Sequence, residues 1–192
     1  MRIMHSAPKE IRTERLVLRR WRKPEDWEAF AAQGADALVM RYFQSTRTRE
    51  QAHEQADFFS RSMNEGLGPW VLTLKENDSF IGTAGFWAAH DYLPMAPGVE
   101  LGWRLNAGYW GQGLAVEAAR AAADDLFTRT DAPEFFAITT VTNEPSRRAL
   151  LKLGMRYCPE EEFDHPKVPE GSPLRRHVVY RYSRDSWLAG GK

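Results

Sequence analysis

The sequence predicts an α/β (α+β) fold in which helices cover both faces of a sheet. Residues 99–105 alternate apolar and polar side chains, as a strand does, and residues 107–113 then contain three glycines and must turn. An alanine-rich stretch without proline or glycine follows from Leu114 to Phe127, which favours a helix. Because 192 residues suffice for one full core, we expect a single domain over 1–192.

The elements before the glycine turn follow from local patterns of apolar spacing and from the residues that start and stop helices. Thr48 and Gln51 have the spacing of a capping box, and a polar turn separates two apolar runs that predict a hairpin. The predicted elements are a loose lead-in over 1–11, a strand over 13–21, a helix over 24–32 that stops at Gly34, a helix from Thr48 to Gly66, and strands over 70–74 and 80–87.

Three further elements are predicted after the long helix. Residues 135–141 are apolar and rich in β-branched side chains, which favours a buried strand. Pro145 suits the first position of a helix and Gly154 suits its end, so a helix is predicted between them. A final strand is predicted over 176–182.

Composition limits the function classes. Lys plus Arg equals Asp plus Glu at 26 each, so we expect no nucleic-acid or membrane partner, and a small-molecule or peptide partner fits better. Cys158 is the only cysteine, which excludes an internal disulfide and a cysteine-based metal cluster; we expect no metal and a reducing cytoplasmic location. No window approaches the roughly 18 apolar residues of a membrane span. The sequence leaves open whether the protein forms a homodimer.

The glycine turn before the long helix is predicted to bind an anion. The first turn of a helix carries unpaired N–H groups and the positive end of the helix dipole, and glycines let a phosphate approach the backbone. The turn lacks both the G-x-G-x-x-G pattern and a Gly-Lys-Ser/Thr ending, so Rossmann and P-loop sites are excluded.

Two motifs carry a family resemblance. The segment Trp110-Gly-Gln-Gly-Leu-Ala115 resembles the pyrophosphate loop of the GNAT N-acetyltransferases, Gln/Arg-x-x-Gly-x-Gly/Ala, except that Trp110 departs from it. The segment from Asn143 to Met155 resembles the superfamily's Asn-x-x-Ser/Ala-x-x-x-x-x-Lys-x-Gly-Phe, with Asn143, Ser146, Lys152 and Gly154 in register. The Tyr-Trp-Gly-x-Gly loop and the opening phrase Thr-Glu-Arg-Leu-x-Leu-Arg are similar to the RimJ/RimL-like branch.

The resemblance implies a GNAT-like mixed, mostly antiparallel sheet with a splayed central strand pair, and acetyl-CoA as cosubstrate. The strand ending at Leu105 and the strand ending at Val141 would diverge and hold the pantetheine between them. Trp110 is expected to pack beside the loop, whose glycines and helix start would hold the pyrophosphate. The expected cofactor-binding residues are Leu105, Trp110, Gly111, Gln112, Gly113, Leu114, Ala115, Asn143 and Ser146. Asn143 has the alternative of an ordinary turn before a helix.

The implied chemistry is direct transfer of an acetyl group to an amine, with the backbone N–H of Leu105 stabilising the oxyanion. Leu150 stands where many GNAT enzymes carry a tyrosine that acts as the general acid. Ser146 is therefore the expected proton donor to the CoA sulfur. The alternative is that Ser146 is an ordinary serine in the first turn of a helix. Cys158 is interpreted as an incidental thiol, since no Cys-His-acid arrangement is evident.

The general base has three candidates. Glu100 lies in the central strand, although an ion pair with Arg104 on the same face is an alternative. The resemblance to RimL-like enzymes points to Asp164 and His165 near the final hairpin, although Asp-His-Pro is also an ordinary turn. His177 is interpreted as an ordinary strand histidine.

The predicted function is an acetyl-CoA-dependent N-acetyltransferase. Its acceptor would be an amine, either a peptide N-terminus or a small molecule, and the alternative is a non-catalytic acyl-CoA-binding sensor on the same fold. Aromatic walls are expected around the acceptor, formed by Tyr42, Phe43, Trp70, Trp87 and Phe163.

Overall fold

The computed structural model describes residues 1–190. Its helices and strands follow one another along the chain in the order β1–β2–α1–α2–β3–β4–β5–α3–β6–α4–β7–β8–β9–α5. The strands are β1 Glu10–Arg12, β2 Leu16–Arg19, β3 Pro69–Leu74, β4 Phe80–Ala88, β5 Val99–Leu105, β6 Glu134–Thr140, β7 Arg156–Tyr157, β8 Phe163–Asp164 and β9 Arg176–Ser183. The helices are α1 Glu25–Ala35, α2 Arg49–Asn64, α3 Leu114–Arg129, α4 Glu144–Leu153 and α5 Arg184–Gly190.

One mixed sheet organises the described residues, in the strand order β1-β2-β3-β4-β5-β6-β9-β7, with β8 also paired to β9. Every neighbouring pair is antiparallel except β5 and β6, which are parallel. The pair β5 and β6 is in register only at Glu100 and Phe136, whereas β4 and β5 stay paired over seven positions. The predicted fold class, including the splayed central pair, is therefore confirmed.

Helices pack on both sides of this sheet. The alanine-rich face of α3 lies on the largest core cluster, together with side chains of β2 to β6, and the small alanines let the helix approach the strands closely. A second cluster joins α1 to α2 through Trp27, Phe30, Ala52 and Ala56. A third lies under β6 and β9 around Phe136 and Val179. None of the described helices has the length and apolarity of a membrane span.

The helix boundaries show which local signals held. Thr48 and Gln51 form the predicted capping box, and Gly154 ends α4 in the left-handed conformation. Gly34, in contrast, does not stop α1, which continues to Ala35. A Cβ at Gly34 would lie 3.4 Å from the Cβ of Arg47, so this glycine lets the segment before α2 pack closely against α1.

The first eleven residues differ from the expected loose lead-in. Ile3 forms a β-bridge with Thr130, and the N–H of Met4 donates to the carbonyl of Arg129 at 2.8 Å. Ala7 is buried in the main core, and β1 begins at Glu10. Contacts with the end of α3, which local sequence does not reveal, hold this segment in place.

Candidate active site

The glycine loop leads directly into α3. Gly111 and Gly113 have φ of 74° and 80°, a backbone region that favours glycine, and a Cβ at Gly111 would meet no atom within 4 Å. The first hydrogen bond within α3 runs from the N–H of Glu117 to the carbonyl of Gly113 at 3.0 Å. The N–H groups of residues 114–116 therefore remain at the positive end of the helix, as an anion site requires.

Two cationic side chains lie beside this loop. An added Cβ at Gly113 would come within 3.7 Å of the Arg15 guanidinium and 4.0 Å of the Lys152 ammonium. Arg15 also donates to the carbonyl of Gln112 at 2.9 Å and pairs with Glu117, which fixes its position. The exposed Gln112 side chain donates back to Gly108 at 2.9 Å. The loop thus has both backbone donors and positive charge around it.

The splay of β5 from β6 exposes backbone groups along β5. The N–H of Asn106 donates to Ile81 of β4 at 2.8 Å, and the N–H groups of a strand point to alternate sides. The N–H groups of Trp103 and Leu105 therefore point away from β4 and into the gap beside β6. This direction suits an extended, amide-containing ligand that adds to β5 like a strand.

Trp110 packs beside the loop, as expected. Its indole N–H donates to the carbonyl of Leu105 at 2.9 Å, and the guanidinium of Arg41 lies 4.6 Å from its ring centre. The tryptophan therefore braces the end of β5 against the glycine loop.

A cleft of about 880 Å³ extends from the glycine loop across the splayed strands. A side pocket of about 500 Å³ opens beside it under α2 and shares Glu100, Trp87 and His165 with it. Of the sequence-predicted site residues, the cleft wall includes Glu100, Leu105, Trp110, Gly111, Gly113, Leu114, Ala115, Asn143, Ser146 and His165.

Glu100 is the buried carboxyl of the cleft. It is 9% exposed, and burial raises its pKa to about 7, against a hydrogen bond from Trp87 that lowers it. The alternative of an ion pair with Arg104 is wrong: the Arg104 guanidinium donates instead to Gln33 at 3.0 Å and lies over the ring of Phe30. Glu100 thus has the position and the pKa of a general base near neutral pH.

The structure separates Asp164 and His165. Asp164 has a half-exposed side chain, lies outside the cleft wall, and faces Arg175 and Arg176 at 3.6 and 3.5 Å. His165 does reach the cleft, and its ring centre lies 4.8 Å from that of His177. Burial lowers the pKa of His165 to about 4, and His177 acts in the same direction, so it is a poor base at neutral pH. Glu100 is therefore the strongest of the three candidates.

Ser146 and Asn143 meet at the start of α4. Asn143 is the N-cap: its side-chain oxygen accepts the N–H of Ser146 at 3.3 Å, and its amide donates to Thr139 at 2.9 Å. Ser146 lies in the first turn and lines the cleft, and its hydroxyl makes no hydrogen bond to any described residue. Capping thus accounts for Asn143, whereas the Ser146 hydroxyl remains available to a ligand.

The aromatic walls agree only in part with expectation. Tyr42, Phe43 and Trp87 line the cleft, but Trp70 is buried in the main core, since strand alternation turns it to the α3 side. Phe163 packs against the rings of His165 and His177, outside the cleft wall.

Two cleft residues were missed from the sequence, Tyr92 and Arg47, and two that also line the cleft were given other roles, Arg104 as an ion-pair partner and His177 as an ordinary strand histidine. Arg104 had a usable signal, since the period of two puts it on the same face of β5 as Glu100. Arg47 and Tyr92 lie in loops, whose positions depend on tertiary packing, and no local pattern indicates them.

Cys158 is a buried thiol away from the cleft. It is 0% exposed, and burial raises its pKa, so the thiol stays protonated at neutral pH. Its sulfur and carboxylate oxygens of Glu160 and Glu161 lie within 4.8 Å of one another. Each of the two carboxylates pairs with an arginine, Glu161 with Arg181 and Glu160 with Arg156, so ion pairing accounts for this cluster.

Comparison with known proteins adds a family to this geometry. A family model for the acetyltransferase (GNAT) domain matches residues 15–156. An uncharacterized N-acetyltransferase of Bacillus subtilis (strain 168), YnaD, is 28% identical over 181 residues, or 92% of this chain and 98% of the relative. The crystal structure of the acetyltransferase from Agrobacterium tumefaciens str. C58 aligns with a TM-score of 0.74 and 25% identity, covering 96% of this chain and 99% of that one. Aminoglycoside acetyltransferase AAC(6')-Ib, solved with coenzyme A, aligns with a TM-score of 0.73 at 18% identity, covering 92% and 98%.

Proposed function

Because the chain belongs to the acetyltransferase (GNAT) domain family and is an N-acetyltransferase, we propose that it transfers an acetyl group from acetyl-CoA directly to a primary amine. The observation that carries the proposal is the combination, in one cleft, of an anion-binding helix start, a splayed β5 edge and a buried carboxyl.

The residues of this cleft fit acetyl-CoA. The N–H groups of residues 114–116, with Arg15 and Lys152 beside them, would hold the pyrophosphate, and Gly111 and Gly113 leave room for it. The backbone N–H of Leu105, next to the glycine loop, would pair with a pantetheine amide. When bound, acetyl-CoA supplies the activated acetyl thioester.

The chain's own side chains supply the proton handling. Glu100 would accept a proton from the incoming amine, because its pKa of about 7 lets it exist as a base near neutral pH. The N–H of Trp103 also points into the gap and lies nearer to Glu100 along β5 than that of Leu105, so it would donate to the oxyanion in place of the Leu105 N–H expected from the sequence. The Ser146 hydroxyl would hydrogen-bond the departing sulfur and pass it a proton while taking one from water, so that the serine ends as a hydroxyl and CoA leaves as a thiol. No enzyme-bound covalent intermediate is required, and Cys158 has no part in the transfer.

The loop sequence and the opening strand phrase support a place in the RimJ/RimL-like branch, which suits acceptors that are peptide N-termini or small amines. The single cysteine supports a cytoplasmic location. A non-catalytic acyl-CoA sensor is not favoured, because Glu100 and Ser146 both line the cleft.

The proposal is tested by incubating the purified protein with acetyl-CoA and panels of small amines and short peptides, and by measuring thiol release and acetylated product. Acetyl-CoA should also raise the melting temperature, because a ligand at 100 times its Kd adds about 2.7 kcal/mol to the free energy of unfolding. A melting shift with NAD or ATP but none with CoA would contradict the assignment of the loop. Binding of acetyl-CoA without any acetylated amine would instead favour the sensor.

A further inference from the structure

The cleft contains two arginines that form no salt bridge with an acidic side chain of residues 1–190. Arg47 lies just before α2 and Arg104 lies on β5, and both line the 880 Å³ cleft. Arg47 Nε and Arg104 Nη2 are buried, and neither atom has a hydrogen-bond partner within residues 1–190. A buried charged donor without a partner is unfavourable, and because these two atoms belong to side chains of the cleft wall, an anionic ligand in the cleft could satisfy them.

The two guanidiniums influence each other. Burial, together with the positive charge of Arg47, lowers the pKa of Arg104 to about 9. Arg104 is held in place by a hydrogen bond to Gln33 and by the ring of Phe30, 4.2 Å from the guanidinium. Two neighbouring cations in a partly buried site are favourable only with an anion between them.

A buried carboxyl lies at the other end of the same strand face. Glu100 and Arg104 are four residues apart on β5, so their Cα atoms are separated by roughly 13 Å. The indole of Trp87 lies between them, over Gly102, where an added Cβ would be 2.3 Å from the ring. The wall therefore has an acidic end, an aromatic middle and a cationic end.

Resting on the proposed acetyl transfer, we propose that the acceptor is a primary amine that carries a carboxylate at the far end of an apolar spacer. The amine lies at Glu100, the spacer lies against Trp87, and the carboxylate lies between Arg47 and Arg104. The planar donor fork of arginine matches a carboxylate, and two forks supply both the charge and the direction.

The side pocket agrees with this arrangement. Arg47 and Glu100 both line it, together with the aromatic rings of Phe59, Trp87 and Tyr92. An apolar spacer bearing two polar ends would thus contact rings along its length and an opposite charge at each end. A neutral amine would leave the buried donors of both arginines unpaired.

The test compares two acceptors that differ only in charge, 4-(aminomethyl)benzoate and 4-(aminomethyl)benzamide, with acetyl-CoA and measurement of thiol release. We expect kcat/KM to be about 10- to 100-fold higher for the carboxylate, since a charged hydrogen-bonded contact is worth that much. Arg47→Gln should lower kcat/KM for the carboxylate by a similar factor and for the carboxamide by much less, so that the preference for the carboxylate is largely lost. Arg104→Lys, which keeps the charge and loses the fork, should give a smaller loss.

The matched control is Arg49→Gln. Arg49 lies two residues from Arg47 but pairs with Glu28 outside the cleft, so both acceptors should react as with the unchanged protein. Equal kcat/KM for carboxylate and carboxamide would overturn the inference and leave the acetyl transfer intact. A loss of CoA affinity in Arg47→Gln that matches its loss of kcat/KM would assign the arginines to CoA and overturn it too. If CoA raises the melting temperature and no amine of any kind is acetylated, the transfer itself fails, and the inference fails with it.

Discussion

Two arginines on strands of the same sheet have opposite surroundings. Arg19 of β2 donates two hydrogen bonds to Asp26, at 2.7 and 2.8 Å, whereas Arg104 of β5 has no carboxylate partner among the described residues. Burial by itself would lower the pKa of each arginine. Hydrogen bonds and the charge of Asp26 more than compensate at Arg19 and raise its pKa above the usual value, whereas the pKa of Arg104 falls to about 9.

The two buried carboxyls differ in the same way. Asp26 is 2% exposed and accepts from Arg19 and from the backbone N–H of Arg22, so it ties the start of α1 to β2. Glu100 is 9% exposed, forms no salt bridge with any residue that the structure describes, and has its pKa raised to about 7. A paired buried charge serves the fold, whereas an unpaired one lowers stability and is expected where a ligand or a proton is handled.

The largest expected effect is on catalysis at Glu100. Replacing a general base typically lowers turnover by a factor of about 10² to 10⁴, so Glu100→Gln should reduce kcat/KM within that range. The acidic limb of the wild-type pH profile should have an apparent pKa near 7, since only the ionised carboxylate accepts a proton, and this limb should disappear in Glu100→Gln.

Melting with and without CoA separates this loss from misfolding. CoA should stabilise Glu100→Gln as much as the unchanged protein, since Glu100 is expected to contact the amine and not the cofactor. Wild-type turnover by Glu100→Gln, with the acidic limb still present, would remove Glu100 from its proposed role. His165→Gln would then be the next variant to examine.

Asp26→Asn tests the paired buried charges, which are expected to contribute to stability and not to catalysis. This change leaves the Arg19 charge buried at 6% exposure with only the exposed carboxylate of Asp78 near it, and should lower the free energy of unfolding by about 3 kcal/mol. Urea denaturation monitored by tryptophan fluorescence measures the loss. Because Asp26 does not line the cleft, kcat/KM at 15 °C should stay close to that of the unchanged protein.

Asp78→Asn is a matched control for this loss. Asp78 also faces Arg19, at 3.7 Å, but its side chain is 59% exposed, so water screens the pair. Its replacement should lower stability by less than about 1 kcal/mol. Equal losses in the two variants would show that burial does not set the strength of these pairs.

Much of the fold could be predicted because its signals are local. The capping box at Thr48, the left-handed Gly113 before α3 and the Asn143 cap of α4 all depend on residues adjacent in sequence. The splayed strand pair came from the family resemblance, since no periodicity distinguishes a strand that diverges from one that pairs fully.

The candidate site was less predictable because it depends on side-chain direction across the sheet. A shift of one residue in the two-residue strand β8 decides whether Asp164 or His165 faces the cleft, and nothing local fixes that register. The pair Glu100 and Arg104 looked like an ion pair from spacing alone, but Gln33 of α1 takes the guanidinium instead. Only tertiary contacts could show that both charges lack a partner.

A smaller effect is expected from Glu100 on the pH dependence of the free energy of unfolding. Free glutamate titrates near 4.5 and folded Glu100 near 7, so between these values the folded state holds a proton that the unfolded state has lost. Stability therefore falls as pH rises from about 4.5 to 7 and stays lower above pH 7. Glu100→Gln lacks this loss, so it should be the more stable protein at pH 8, by up to about 3 kcal/mol, and the difference should shrink at pH 5. A difference that is independent of pH would contradict the raised pKa.

The smallest effects on stability and activity are expected at Cys158. This further buried ionisable group is neutral and lies outside the cleft. Burial raises the pKa of its thiol, so no charge is left unpaired, and it packs among Leu93, Met95 and Val179. Cys158→Ala removes one sulfur from this cluster and should lower the free energy of unfolding by about 1 kcal/mol, measured in urea. Its kcat/KM should change less than about twofold, because direct transfer gives the thiol no role. Acetylation of Cys158 detected by mass spectrometry within one turnover, together with lost activity in Cys158→Ala, would replace direct transfer with a covalent route, and a buried group without unpaired charge would then be functional after all.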